Sequence, residues 1–178
     1  IKIRNIESEI KYMDRLFSTN NHSELIIRGQ ILIKKFPKIV PFYNLLGLSF
    51  KKIGKQKEAI KVFKSGLFQD QNAISIMTNL ADLYRDTSKL KEAEELLTKS
   101  FKLDNRDIYG LISYGKLKIA QGKSLDAINY FKKASEIQKA TKLASDAFKI
   151  FKQVSAKKRS EFLIQISEEL KLISSDII

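Results

Sequence analysis

The sequence lacks cysteine, and it contains only two prolines and seven glycines in 178 residues. The absence of cysteine excludes disulfides, thiolate zinc sites and cysteine nucleophiles, and it disfavours a disulfide-stapled secreted domain. A proline inside a helix costs about 3 kcal/mol. The small number of prolines therefore favours long helices. No apolar run approaches the ~20 residues that a membrane-spanning helix needs. A mostly helical globular protein is therefore predicted, and the expected location is the cytoplasm.

The chain is self-similar at a spacing of 34 residues, which is the first thing to seek in a helical sequence. Seven positions recur, large where the first copy is large and small where it is small, with Lys118 as the exception. The three copies are Tyr43, Leu46, Gly47, Phe50, Ala59, Phe63 and Gly66; Met77, Leu80, Ala81, Tyr84, Ala93, Leu97 and Ser100; and Leu111, Tyr114, Gly115, Lys118, Ala127, Phe131 and Ala134. The spacing within each copy predicts two amphipathic helices joined by a short turn.

This pattern resembles the tetratricopeptide repeat, whose usual order is a large residue, Leu-Gly, Tyr, Ala, Phe, Ala and Pro. The best copy begins at Tyr43-Asn44-Leu45-Leu46-Gly47 and continues to Lys57-Glu58-Ala59-Ile60 and Phe63. The resemblance implies an all-α, right-handed superhelix of about four helical hairpins, followed by C-terminal capping helices.

The same register divides the whole chain. Pro37 lies 34 residues before Gln71, in the slot where the family prefers proline, and this predicts an earlier, degenerate copy with Glu9 in its large slot and Met13 in its glycine slot. Leu143 to Phe151 and Phe162 to Ile173 are read as two capping helices or a diverged repeat. The expected units are residues 1–39, 40–73, 74–107, 108–141 and 142–178, the last of them truncated.

Two sets of equivalent positions have a structural role that can be predicted: one where two helices approach closely and one where the first helix of each hairpin ends. Gly47, Ala81 and Gly115 are predicted where the first helix of a hairpin approaches the second closely. Residues at which the first helix should end are also spaced by 34, and a left-handed backbone is expected there. They are Asn20, Gly54, Ser88 and Gly122, of which serine is the misfit.

The sequence offers little for catalysis. It has one histidine, His22, which is read as a surface residue at a helix entry with Ser23 as the N-cap, and no glycine-rich phosphate loop. Glu92, Glu94 and Glu95 share one helix with flanking lysines and are read as a solvated face, not as a metal site. No enzyme, no catalytic residue, no metal and no cofactor are predicted within these residues.

In proteins of this family the ligand generally binds on the concave surface, which the first helices line. Subtracting the core positions leaves a mixed polar and apolar set of first-helix residues, which includes Lys11, Asp14, Ser75 and Asp86. The candidate groove residues are Asn44, Leu48, Lys51, Lys52, Thr78, Asn79, Asp82, Arg85, Tyr109, Ile112, Ser113 and Lys116.

The family's clamp for acidic chaperone tails is not matched. That clamp uses lysine, asparagine, asparagine, lysine and arginine at fixed first-helix positions, and only Asn79 agrees in residue type. Equivalent slots hold Pro41, Leu45, Tyr109 and Ser113, which cannot supply the paired cations that a carboxylate needs. A chaperone-tail adaptor is therefore disfavoured, and one asparagine does not make an asparagine ladder.

The formal net charge of +13 raises the question of nucleic acid. The charge is spread along the chain, since no repeat block exceeds +4 and residues 74–107 carry −1. Many lysines fall on second helices, away from the groove. The lysine- and isoleucine-rich composition also fits an AT-rich genome. Nucleic-acid binding is therefore the weaker interpretation.

The function predicted first is a non-catalytic scaffold that binds a protein or peptide in its concave groove, with oligomerisation left open. One alternative is the substrate-recognition arm of a larger sulfotransferase or glycosyltransferase, because the apolar residues 173–178 suggest that more chain follows. The second alternative is a basic solenoid that binds nucleic acid.

Overall fold

A computed structural model of the protein describes residues 5–153 and residue 164, and this part of the chain is entirely helical apart from short turns. None of the helices described is long and apolar enough to cross a membrane. The helices are α1 (Ile6–Ser18), α2 (His22–Lys35), α3 (Val40–Lys52), α4 (Gln56–Gln69), α5 (Ile74–Asp86), α6 (Leu90–Leu103), α7 (Ile108–Ala120) and α8 (Ser124–Gln153).

The chain divides into two compact units, Ile1–Ala134 and Ser135–Ile178. In the first unit the helices pair as successive hairpins, and each second helix packs on the first helix of the next hairpin. First helices also contact one another, α3 touching both α1 and α5, and α5 touching α7. The predicted all-α solenoid of helical hairpins is confirmed, and it places the first helices side by side on one face.

The four turn positions adopt the backbone that their spacing predicts. The φ angles are 57° at Asn20, 78° at Gly54, 60° at Ser88 and 76° at Gly122, all in the left-handed region. An L-residue other than glycine costs roughly 1–2 kcal/mol there, and asparagine offsets part of this by local hydrogen bonding. The strain is therefore greatest at Ser88.

Replacing Ser88 by glycine should raise the free energy of unfolding by about 0.5–1 kcal/mol, because glycine adopts φ = 60° without a Cβ clash. Urea unfolding at equilibrium measures the difference. The mirror substitution, Gly54→Ser, should lower stability by a similar amount. Equal stability of all three proteins would mean that this conformation carries no strain.

Close helix approach at Gly47 and Gly115 is confirmed. A Cβ placed on Gly47 would lie 2.7 Å from Phe63 Cζ, and one placed on Gly115 would lie 2.7 Å from Phe131 Cζ. Phe63 is fully buried, so its ring lies directly on the Gly47 backbone. The glycine therefore makes room for the aromatic ring of the facing helix.

The two charged residues that occupy core slots of the repeat, Glu9 and Lys118, are both paired with an opposite charge. Glu9 is fully buried and accepts two hydrogen bonds from the Arg28 guanidinium, at 2.6 and 2.7 Å. Lys118 is 9% exposed and its Nζ donates to Glu94 Oε1 at 2.7 Å. The hydrogen bond from Lys118, followed by one from Gln121, holds the pKa of Glu94 below its ordinary value. Each charge in a core slot is therefore neutralised by the neighbouring helix.

The expected boundary at residue 141 falls inside α8, which runs unbroken to Gln153. The earlier second helices have their C-caps at Phe36, Asp70 and Asp104. The equivalent residue is Gln138, a good helix former that supplies no turn and is not followed by proline. The predicted separate helix from Leu143 is thus a continuation of α8, and the predicted helix from Phe162 lies outside the described residues apart from Ile164.

Candidate functional site

A groove crosses the faces of α3, α5 and α7 within the first compact unit, with a cavity volume of about 700 Å³. Nine of the twelve residues predicted from the sequence line it. They are Asn44, Leu48, Thr78, Asn79, Asp82, Tyr109, Ile112, Ser113 and Lys116. Five further residues complete its wall: Phe17, Ile74, Ser75, Asp104 and Asp107.

Two asparagines on neighbouring helices meet in the groove. Asn79 Nδ2 on α5 donates a hydrogen bond to Asn44 Oδ1 on α3 at 2.8 Å. Asn44 Nδ2 and Asn79 Oδ1 have no partner among the described residues, so the pair retains donor and acceptor capacity on adjacent helices. The sequence predicted both residues in the groove but not their contact.

Thr78 is the polar side chain with the least satisfied environment in the described part of the groove. The residue is 4% exposed, and its Oγ1 has no hydrogen-bond partner among the described residues. A buried hydroxyl without a partner costs about 1–3 kcal/mol. The protein thus retains an unpaired polar group at a place where a bound molecule could supply the partner.

Replacing Thr78 by valine should stabilise the unliganded protein by about 1 kcal/mol, because the unpaired hydroxyl is removed at constant shape. Thr87→Val is the matched control. Thr87 Oγ1 approaches Leu83 O at 3.0 Å and Tyr84 O at 3.1 Å, so valine there should not stabilise. A Thr78→Val protein with a lower melting temperature than the parent would show that the hydroxyl of Thr78 stabilises the protein.

The three predicted residues that do not line the groove are Lys51, Lys52 and Arg85. Arg85 is held by Asp82 at 2.7 Å and by Asp86 at 2.7 Å, and Lys51 Nζ lies 3.5 Å from Asp86. Burial raises the pKa of Asp86, but the hydrogen bond and charge of Arg85, followed by Lys51, outweigh burial and keep that pKa low. Arg85 and Lys51 are therefore paired within the protein, which explains why this edge offers no anion clamp.

The apolar side chains that line the groove differ in exposure. Tyr109, at the start of α7, leaves 77% of its surface exposed. Ile74, Ile112 and Leu48 are half-buried along the same wall. A large exposed aromatic beside half-buried aliphatic side chains is typical of a binding surface.

His22 and the acidic residues Glu92, Glu94 and Glu95 do not line the groove. His22 is the first residue of α2, and the N-cap is Asn21, whose side chain accepts from Glu24 N, so the prediction of Ser23 as the cap is wrong. The ring packs against Phe17 and its Nδ1 lies 3.3 Å from Ser49 Oγ. Among the described residues no group of three or more His, Cys, Asp or Glu side chains could hold a metal ion.

Stacked helical hairpins with a groove across their first helices define the class of α-helical repeat proteins. Within that class, the tetratricopeptide repeat profile matches residues 40–67 and 74–107. The chain therefore carries tetratricopeptide repeats, at the second and third hairpins. The first and fourth hairpins lie outside the match but share the left-handed turns at Asn20 and Gly122.

Comparison with solved structures agrees with this fold. A crystal structure of MamA superposes with a TM-score of 0.64 at 19% identity, over 77% of this chain and 80% of that one. TTC0263, a thermophilic TPR protein in Thermus thermophilus, gives a TM-score of 0.64 at 15% identity, over 70% and 69%. The second TPR of Spaghetti (RPAP3), bound to HSP90 peptide SRMEEVD, gives 0.52 at 24%, over 57% and 94%.

A curated protein of similar sequence comes from Pyropia yezoensis. This uncharacterized protein, ycf37, is 29% identical over 91 residues, corresponding to 46% of this chain. The match spans about half of that relative, 51% of its length.

Proposed function

We propose that this chain is a non-catalytic protein-interaction scaffold whose groove binds an extended segment of a partner protein. The observation that carries the proposal is the Asn44–Asn79 pair, which joins two hairpins at 2.8 Å and keeps an amide donor and an amide acceptor for a ligand. A peptide backbone presents the complementary groups at every residue.

The dimensions and composition of the groove support the same occupant. Its volume of about 700 Å³ suits several residues of extended chain, and Tyr109, Ile112 and Leu48 provide apolar contacts for alternate side chains. The similar second TPR of Spaghetti (RPAP3) is bound to an HSP90 peptide, which supports a peptide as the occupant. Nucleic acid suits the groove poorly, because three aspartates and one lysine are its charged lining residues.

Selection of a random peptide library on the purified chain tests the proposal. Peptides recovered should lose about tenfold or more in affinity when Tyr109 is replaced by alanine, since exposed aromatics carry much of the energy of such contacts. Asn79→Ala should also weaken them, because both amides of the pair lose their arrangement.

Phe68→Ala is the matched control. Phe68 lies on α4, is 84% exposed and does not line the groove, so its removal should leave the affinity unchanged. Peptides that bind equally well to the parent, Tyr109→Ala and Asn79→Ala would contradict binding in the groove.

A further inference from the structure

The groove differs in charge from the rest of the chain. The chain carries +13, whereas the charged residues that line the groove are Asp82, Asp104, Asp107 and Lys116. Asp82 is already paired with Arg85 at 2.7 Å. The free negative charge of the groove is therefore concentrated at Asp104 and Asp107, in the loop between α6 and α7.

These two aspartates line the same cavity as Tyr109, whose side chain is exposed. Asp107 caps α7, accepting from Gly110 N at 2.9 Å and from Tyr109 N at 3.3 Å, and Asp104 Oδ1 accepts from Arg106 N at 2.8 Å. Neither carboxylate forms a salt bridge with any described residue, although Arg106 lies between them in sequence. The backbone bonds fix the loop, and no ion pair within the described residues neutralises either carboxylate.

We infer that this end of the groove receives the cationic side chain, lysine or arginine, of the bound protein segment. Carboxylates that line the same cavity as an exposed tyrosine can offer charge-assisted hydrogen bonds and a cation–π contact to a guanidinium or ammonium group. The inference rests on the proposed function, to which it adds the chemistry of the partner: a segment that is basic and partly apolar.

Thr78 supplies an independent indication that the groove is built for a polar ligand. Thr78 lines the same cavity, and its Oγ1 is buried and has no partner among the described residues. A hydroxyl can donate to a backbone carbonyl or accept from a backbone N–H of an extended segment. The ligand that places a cation at Asp104 and Asp107 can therefore also satisfy Thr78 further along the groove.

An acidic segment fits the same surface badly. A glutamate-rich peptide would meet Asp104 and Asp107 with like charge, and Lys116 is the single cation among the residues that line the groove. Lys51 and Arg85, which would help to bind carboxylates, are occupied by Asp86 and Asp82. The groove thus selects against the kind of tail that chaperone-binding repeats hold.

Asparagine substitutions remove the charge and preserve the loop. An asparagine side-chain oxygen can accept the bond from Arg106 N at position 104 and the shorter bond from Gly110 N at position 107. Asparagine is also a good N-cap, so Asp104→Asn and Asp107→Asn should both fold. Asp70→Asn is the matched control, because Asp70 occupies the equivalent turn before α5, accepts from Asn72 N at 2.8 Å and does not line the groove.

The test uses fluorescence polarisation of peptides selected from a random library on the whole chain. We expect the selected pool to be enriched in lysine or arginine, and its affinity to fall about five- to tenfold in the Asp104→Asn/Asp107→Asn protein but not in Asp70→Asn. The affinity for the parent should also fall as salt concentration rises.

Two negative outcomes are distinguishable. A pool enriched in aspartate or glutamate, or one whose affinity ignores the Asp104→Asn/Asp107→Asn change while still depending on Tyr109, would overturn the cationic pocket and leave the peptide groove intact. A library that yields no binder sensitive to Tyr109→Ala would overturn both proposals.

Discussion

Replacing Gly47 by leucine should lower the free energy of unfolding by about 3 kcal/mol. Even a Cβ at this position would lie 2.7 Å from Phe63 Cζ, and Phe63 is fully buried and cannot swing into solvent. Overpacking of a dense core typically costs about 1–3 kcal/mol, and leucine adds four carbons at a place with no room for one. Equilibrium urea unfolding, followed by far-UV circular dichroism, measures the loss.

Three further proteins separate overpacking from a general effect of leucine. Ser65→Leu adds a leucine to the exposed face of α4 and should change stability by less than about 0.5 kcal/mol. In the Gly47→Ala protein, the added change Phe63→Leu should recover part of the loss, because the smaller side chain frees space for the new Cβ. If the Gly47→Leu protein has the same free energy of unfolding as the parent, the close packing of Gly47 against Phe63 is wrong.

The second large effect is expected at the buried ion pair of the first hairpin. Glu9 is fully buried, and Arg28 binds it in a two-point arrangement while its guanidinium lies 4.9 Å from the centre of the Tyr12 ring. Glu9→Gln keeps the shape but leaves the arginine without its countercharge, and removing one partner of a buried pair typically costs about 3–5 kcal/mol. Thermal and urea unfolding should both show the loss.

An exposed ion pair on the same helix provides the control for this substitution. Glu7 and Lys11 lie 2.8 Å apart with both side chains largely exposed, so Glu7→Gln should cost no more than about 0.5 kcal/mol. Because an apolar pair can replace a buried ion pair, Glu9→Leu combined with Arg28→Leu should regain most of the stability lost in Glu9→Gln. Equal losses for Glu9→Gln and Glu7→Gln would contradict a buried role for Glu9.

The regular features of the fold were predictable because each follows from a local steric requirement repeated every 34 residues. Gly47 is needed beneath Phe63, and the left-handed turns recur even at Ser88, where the residue type fits poorly. The sequence also identified Glu9 and Lys118 as exceptions. It could not name their partners, because Arg28 and Glu94 lie on another helix at a separation that no repeat rule fixes.

The groove was predicted in part for a related reason. Residues on first helices could be assigned by helical periodicity, which found Asn44, Thr78 and Tyr109. Asp104 and Asp107 lie at a helix end and in a loop, where periodicity gives no orientation, so their place in the wall was missed. The course of α8 was also missed, because the loss of a turn residue at Gln138 is a weaker signal than its presence.

Chemical-shift mapping of the isotopically labelled chain with a library-selected peptide locates the binding surface. If the peptide binds in the groove, backbone amide shifts should move on the faces of α3, α5 and α7, with the largest changes around Asn79, Thr78 and Tyr109. Amides of α4 around Phe68 should stay in place. Shifts confined to the second helices α2, α4 and α6 would contradict binding in the groove.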